Sequence, residues 1–170
     1  MALTTVGSAA LPVGSVIQTK SASVTAAATI TSNQTNTFVD LGLSLAITPT
    51  SSSSKILVMV NASLGTSLGT GHFRLIRGST VINIGDAAGN RSRDSVSYRD
   101  AGTPYALNIH EFSIDFLDGP ATTSATTYKL QGTLGSTYNG IIYLNRTHSD
   151  ENADYGSRCA SNITLQEISV

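Results

Sequence analysis

Tryptophan is absent, cysteine occurs once, and only 12% of the 170 residues are charged, about half the share usual in globular domains. Each shortage excludes something. A single thiol, Cys159, rules out an intramolecular disulfide and a multi-thiolate metal site. The 10 Lys and Arg stand against 11 Asp and Glu. They form no basic stripe that could displace counterions from phosphates, so nucleic acid is not an expected partner. No apolar run approaches the roughly 18 residues of a membrane helix, so no membrane span is expected. The first basic residue is Lys20, so the N-terminus lacks the charged start of a signal peptide. Disorder is excluded as well, because 40% of the chain is apolar and the net charge is −1.

Small hydroxyl side chains take the place of charge: 23 Ser and 22 Thr, about a quarter of the chain. They stay hydrated on the outer face of a strand and tolerate β geometry. Charges cluster instead. Eleven of the 21 lie in two short stretches. The first holds Asp86, Arg91, Arg93, Asp94, Arg99 and Asp100, and the second Arg146, Asp150, Glu151, Asp154 and Arg158. Both read as exposed loops.

Period-two patterning covers most of the remainder. Strands are expected at Gly14–Lys20, Thr37–Leu41, Leu43–Thr48, Tyr105–Leu117, Tyr128–Leu134, Tyr138–Leu144 and Asn162–Ile168. The apolar run Lys55–Val60 suits a strand buried on both faces. Turns fall at Thr48–Ser54, Asp118–Pro120 and Ala121–Thr127. No apolar stripe of helical period runs for three turns. One hairpin can be written in register: Gly78-Ser79 suits a type II′ turn, which pairs Arg77 with Thr80, Leu75 with Ile82 and Phe73 with Ile84. The pattern as a whole predicts an all-β, jelly-roll-like antiparallel β-sandwich of eight to ten strands. Residues 1–12 form an extended arm before a single domain at 13–170.

Candidate chemistry is sparse. His72, His110 and His148 fall on separate elements with no neighbour completing a triad. Glu111 and Asp115 share a strand face about 13 Å apart, too far for a glycosidase pair. Glycines do not follow dinucleotide or phosphate-loop spacing. No catalytic residue and no cofactor is assigned, and the chain is not expected to be an enzyme. Asp150–Gly156 resembles the start of a calcium loop, but its glycine is one place late and Ser161 stands where the bidentate glutamate belongs. A flexible acidic loop is the preferred reading. Glycosylation-type triplets at Asn33, Asn61, Asn90, Asn145 and Asn162 are expected by chance in so hydroxyl-rich a chain. The long loops at 85–104 and 145–160 carry Arg and Tyr, the residue types that anchor interfaces. They are either plain solvated loops or partner contacts through Arg91, Arg93, Tyr98, Arg99, Arg146, His148, Tyr155 and Arg158.

Several motifs together are similar to a family of bacteriophage structural proteins. They are Gly14–Gln18, Phe38–Ser44 with Ile47-Thr48-Pro49 and Ser52–Val58, Phe73–Thr80, Phe116–Pro120 with Ala125–Lys129, and Ile163–Ile168. This family is abundant in phages of aquatic bacteria, including cyanophages, and its members are usually labelled tail fibre or virion structural proteins. The resemblance runs from Leu11 onward with a gap in the two charged loops. It implies membership of the virion and supplies no catalytic or ligand residues. The expected role is non-enzymatic: a head decoration or cement protein, packed as a homotrimer against major capsid or other virion proteins. The arm Met1–Pro12 would reach a neighbour, and the uncharged 21–37 segment would form a subunit-interface strand. The alternatives are a tail fibre tip contacting host surface glycans through the two loops, and a lectin-like carbohydrate-binding module.

Overall fold

The computed structural model describes residues 11–32, 37–67, 69–100, 107–135 and 140–170, so residues 1–10 of the expected arm lie outside it. Eleven strand segments follow one another: β1 (Val16–Val24), β2 (Ala28–Ser32), β3 (Val39–Ile47), β4 (Lys55–Thr66), β5 (Gly69–Arg77), β6 (Thr80–Ile82), β7 (Val96–Asp100), β8 (His110–Asp118), β9 (Thr126–Leu134), β10 (Gly140–Leu144) and β11 (Ser161–Ile168). No helix occurs among the described residues.

Three pairs of segments are single strands interrupted by an excursion. Along β4, β10 pairs at Leu64–Thr66 and β11 continues the same edge at Lys55–Asn61. Against them run β2 and β1 in turn. Likewise β6 and β7 occupy successive stretches of one edge of β5. The eleven segments therefore make eight strand tracks in two antiparallel sheets. Sheet A runs β1/β2, β11/β10, β4, β8, and sheet B runs β3, β9, β5, β6/β7. The first track pairs with the last, the second with the seventh, the third with the sixth and the fourth with the fifth. This is the nested pairing of a jelly roll, a long antiparallel hairpin rolled into two sheets. Its tip is Gly78-Ser79. Gly78 takes φ 58° there and Ser79 keeps a negative φ, as a type II′ turn requires.

The tip forms in the expected register at Arg77–Thr80 and Leu75–Ile82. The expected pair Phe73–Ile84 does not form, because β6 stops at Ile82 and Asn83 turns the chain aside at φ 51°. Phe73 pairs with Val96 instead. Three further expectations are corrected. Lys55–Val60 is buried on one face only: Ile56, Val58 and Val60 face the core, whereas Leu57 and Met59 are half-buried on the outer side. Of the long segment expected from Tyr105, residues 105–106 lie outside the described residues, 107–109 are not strand, and β8 starts at His110. Within the expected 21–37 strand, residues 21–32 are divided between the end of β1 and β2 by a break at 25–27, and residues 33–36 lie outside the described residues.

Alternation drives the packing. Leu41, Leu43, Phe73, Leu75, Tyr128 and Leu130 from sheet B meet Ile56, Val58, Val60, Leu64, Ile163 and Leu165 from sheet A in one core. Gly71 and Gly132 clear the space for Phe73, since a Cβ at either position would come within 3.0 Å of its ring. One row across sheet A, facing inward, reads Gln18, Glu167, Ile56, Asp118. Both carboxylates are buried, a costly choice unless each is fully partnered. Asp118 accepts from Arg77 (2.8 Å) and from the Tyr128 hydroxyl (2.7 Å), bolting sheet A to sheet B. Burial and this carboxylate push the Tyr128 phenol far above its ordinary pKa. Glu167 accepts from the Gln18 amide (2.6 Å) and from the Thr50 N–H and hydroxyl (2.7 and 2.8 Å). It thereby pins the turn after β3. Burial works against its ionised form, but the bonds from Gln18, Ser54 and Thr50 outweigh it and hold its pKa below the usual value.

Glu167→Ala strips several buried donors of their acceptor and should cost about 3 kcal/mol in urea-unfolding free energy. A carboxylate with a depressed folded pKa stabilises fully above the unfolded value of about 4.3 and loses that contribution as pH falls through the folded value. The melting temperature of the wild type should therefore fall more steeply than that of Glu167→Gln below about pH 4. Parallel acid profiles would contradict this role.

Candidate functional site

Apart from Arg99 and Asp100 in β7, the two charged stretches lie in the excursions that interrupt the strands, on opposite outer faces of the sandwich. In sheet B, inward Phe73 and Leu75 alternate with outward His72 and Arg74, and the 83–95 excursion folds onto those two. Asp94 is its clasp. It meets His72 Nδ1 at 2.6 Å and the Ser92 hydroxyl at 2.8 Å, and lies 3.8 Å from Arg74 Nε. Arg74 also donates to the Arg93 carbonyl (2.8 Å) and stacks on Phe38 at 3.7 Å. Beside this network Asp40 receives Lys129 (2.9 Å) and Gln131 (2.6 Å), which lower its pKa in that order. The loop is thus a folded strap.

In sheet A the 146–160 excursion leaves the strand at Asn145 and returns at Ser161. Asn145 is fully buried with φ 59°. Its amide donates to the Val24 and Ala26 carbonyls (2.7 and 3.1 Å), filling the break between β1 and β2, and its Oδ1 accepts from Ser161 at 2.6 Å. Ser161 in turn accepts the Ser63 N–H. The Asn145 and Ser161 side chains together thus join the β1/β2 break, the end of β10, the start of β11 and β4. The glycosylation-type triplet at Asn145 is consequently a structural asparagine with no exposed amide.

The residues expected to contact partners are differently occupied. Arg91 and Arg93 are exposed, yet each donates to a carbonyl of its own loop, Ala88 (3.2 Å) and Gly85 (2.8 Å). Tyr98 is in β7 and not in a loop. Its ring stacks between Phe73 (5.5 Å) and His110 (4.0 Å), and its hydroxyl donates to the Leu64 carbonyl, so it belongs to the end of the core. Arg99, also in β7, is exposed on the outer side opposite Thr70. Arg146 lies over Tyr143 at 4.2 Å and bonds Thr29, while His148 stacks on the same tyrosine at 5.3 Å. Burial raises the Tyr143 pKa, partly opposed by Arg146. Arg158 is exposed and reaches Asp150 at 2.5 Å, with Arg146 3.8 Å away on the other side. Tyr155 is exposed, and its hydroxyl meets Glu151 at 2.5 Å, which raises its pKa.

Arg146, His148 and Tyr143 are therefore brought together, and Arg146 and Arg158 share Asp150. The Arg91/Arg93 group lies on the other face. Asp150, the first oxygen of the calcium-like run, is committed to guanidinium, which leaves a shallow polar cavity of about 190 Å³ lined by Thr147, Asp150, Asn152 and Arg158. No cluster of three or more His, Cys, Asp or Glu able to hold a metal occurs among the described residues. Among the described residues no helix is long and apolar enough to cross a membrane. Asp94, Asn145, Asp118 and Glu167 escaped the sequence reading because each is defined by partners at least 10 residues away, apart from Ser92 beside Asp94. No protein-family model matches the chain, and no curated protein matches it.

Asn145→Ala should lower stability by about 3 kcal/mol, through lost buried hydrogen bonds and an alanine at positive φ. Chemical denaturation checks this, with Asn152→Ala as the surface control. Asp94→Ala takes a largely buried partner from His72 and Arg74, so it should lower stability by about 1–2 kcal/mol and speed tryptic cleavage after Arg91 and Arg93 at least about tenfold by freeing the strap to open locally.

Proposed function

We propose that this chain is a non-enzymatic structural protein of a phage virion surface, a head decoration or cement protein that packs as a homotrimer. The observation that carries the reading is how the reactive side chains are spent. Asp118, Glu167 and Asn145 hold sheets and turns together, and Asp94, Asp150, Arg93 and Arg146 hold the excursions down. What is left outward on sheet A is a broad surface of small polar groups: Thr19, Ser21 and Ser23, then Asn162, Thr164 and Gln166. Next to them Leu57 and Met59 are half-buried and Leu117 is 54% exposed. Such a surface favours packing over chemistry. The motifs that resemble phage structural proteins fall on β1, β3, β4, the tip hairpin, the end of β8, the start of β9 and β11, which are framework strands and turns of the jelly roll.

The tail fibre alternative asks both charged loops to meet a host glycan at one tip, and their placement on opposite faces disfavours it. The lectin-like alternative loses Tyr98, one of its two loop aromatics, to the core.

Quantitative mass spectrometry of purified virions tests the reading. Hundreds of copies per particle are expected for a capsid-bound protein. A few tens or fewer would assign the chain to a fibre, and absence from the particle would end the proposal.

A further inference from the structure

Every open sheet edge presents unpaired N–H and C=O groups that invite another strand, and proteins blunt such edges with charge, bulges or covering loops. Three of the four edges here are interrupted. In sheet B, β3 is kinked at Gly42 (φ 79°), with a register shift between Asp40 and Ser44, and the strapped 83–95 excursion separates β6 from β7. In sheet A, the β1/β2 edge is broken at 25–27 and sets Lys20 in the core-facing row beside Leu165. The fourth edge, β8, is continuous. All nine of its residues pair with β4 in one register, from His110 with Leu64 to Asp118 with Ile56. No strand lies on its other side among the described residues.

The side chains of β8 specify what this edge can take. Glu111, Ser113, Asp115 and Leu117 point outward and are exposed. Glu111 and Asp115 enter none of the ion pairs among the described residues. The one charged residue of the neighbouring β4 is Lys55, and its ammonium lies against Gly119 beyond the end of β8. On the inward side Phe112 and Phe116 are only half-buried, whereas Ala62 and Val58, their partners on β4, are buried. Apolar area thus stays open along the same edge as two unpaired acids. We propose that β8 takes up an extended segment of a partner protein as an added antiparallel strand, with Lys or Arg opposite Glu111 and Asp115 and apolar side chains toward Phe112 and Phe116. Antiparallel is the sense of every pair already in the sheet. Main-chain bonds supply the affinity of such an addition, and alternate side chains its specificity. The acids select the occupant, because opposite charges across a strand pair stabilise it and like charges destabilise it. A second β8 would gather four carboxylates on one face. Residues 1–10 of the chain contain no Lys or Arg, so that segment answers neither acid. The acids stand about 13 Å apart along the strand, which sets the spacing of the partner's basic residues. A one-residue slip would turn those residues onto the phenylalanines. The inference goes beyond the decoration reading and does not rest on it.

Peptide binding to the full chain tests the edge. The probe is a capped, dye-labelled peptide of strand length, with a pair of lysines spaced to meet Glu111 and Asp115 and valine or threonine elsewhere. Its twin carries glutamate in place of lysine. Fluorescence anisotropy should show the lysine peptide binding at least about tenfold more tightly than the twin. Amide hydrogen exchange within residues 110–118 should slow at least about tenfold when it binds. Glu111→Lys combined with Asp115→Lys should reverse the preference between the two peptides. Both side chains are exposed, so folding, checked by circular dichroism, should survive. Equal binding of the twins would overturn the selection by charge. A lysine peptide that binds without protecting β8 would overturn strand addition, and no binding of either peptide would overturn the docking edge altogether. Virion copy number measures the decoration role separately from all of these outcomes.

Discussion

The structure depends on the antiparallel pairing of the two halves of the chain about Gly78-Ser79. Once the tip forms, each later pair lies outside the previous one, from β5·β6 through β4·β8 and β3·β9 to β1·β11. Every track has one apolar face, so the long hairpin cannot remain flat. It rolls until Phe73, Leu75 and Tyr128 meet Ile56, Val58 and Leu165. Because the side-chain period is two, a slip anywhere would turn an apolar row outward, and the burial of the core therefore also enforces register.

Rolling creates a problem at the row where the sheets meet their turns, and the chain answers it with buried carboxylates. Asp118 and Glu167 flank Ile56 in the same row. Each gathers donors from elements that the hairpin pairing does not join: Arg77 and Tyr128 from sheet B, and Thr50 from the turn after β3. Buried charge is weak evidence for stability in itself, but removing one partner leaves the rest exposed to the full desolvation cost. The physical effect is specificity of sheet-to-sheet alignment, a useful property for a domain whose proposed task is to meet neighbours in a repeating lattice.

The excursions follow the same logic outside the core. Neither is a connection between tracks; each is inserted within one. Such an insertion costs little chain entropy as length grows, provided its base is sealed. Asn145 seals one, and Asp94 straps the other. The arginines that composition marks as interface anchors are largely engaged with loop carbonyls and acids, and Arg99 is held in a strand.

The all-β class, most strands, the tip hairpin and its first two pairs were legible in the sequence, because alternation and turn chemistry are local properties carried by neighbouring residues. Leu75 with Ile82 follows from a two-residue turn alone. The partner of Phe73 does not, since it lies beyond an excursion whose length leaves no periodic trace. For the same reason the bounds and partners of β2 and β7 were not legible, although 21–37 read as a strand and Val96 with Tyr98 as the start of one. The side chains that hold the site, His72 with Asp94 and Asn145 with Ser161, Val24 and Ala26, are joined only when distant tracks become neighbours. Local pattern determined which residues form strands and which faces are apolar. Tertiary structure decided which strands meet, which polar groups are buried, and that the two charged loops face opposite ways, because those outcomes depend on pairing across the whole chain.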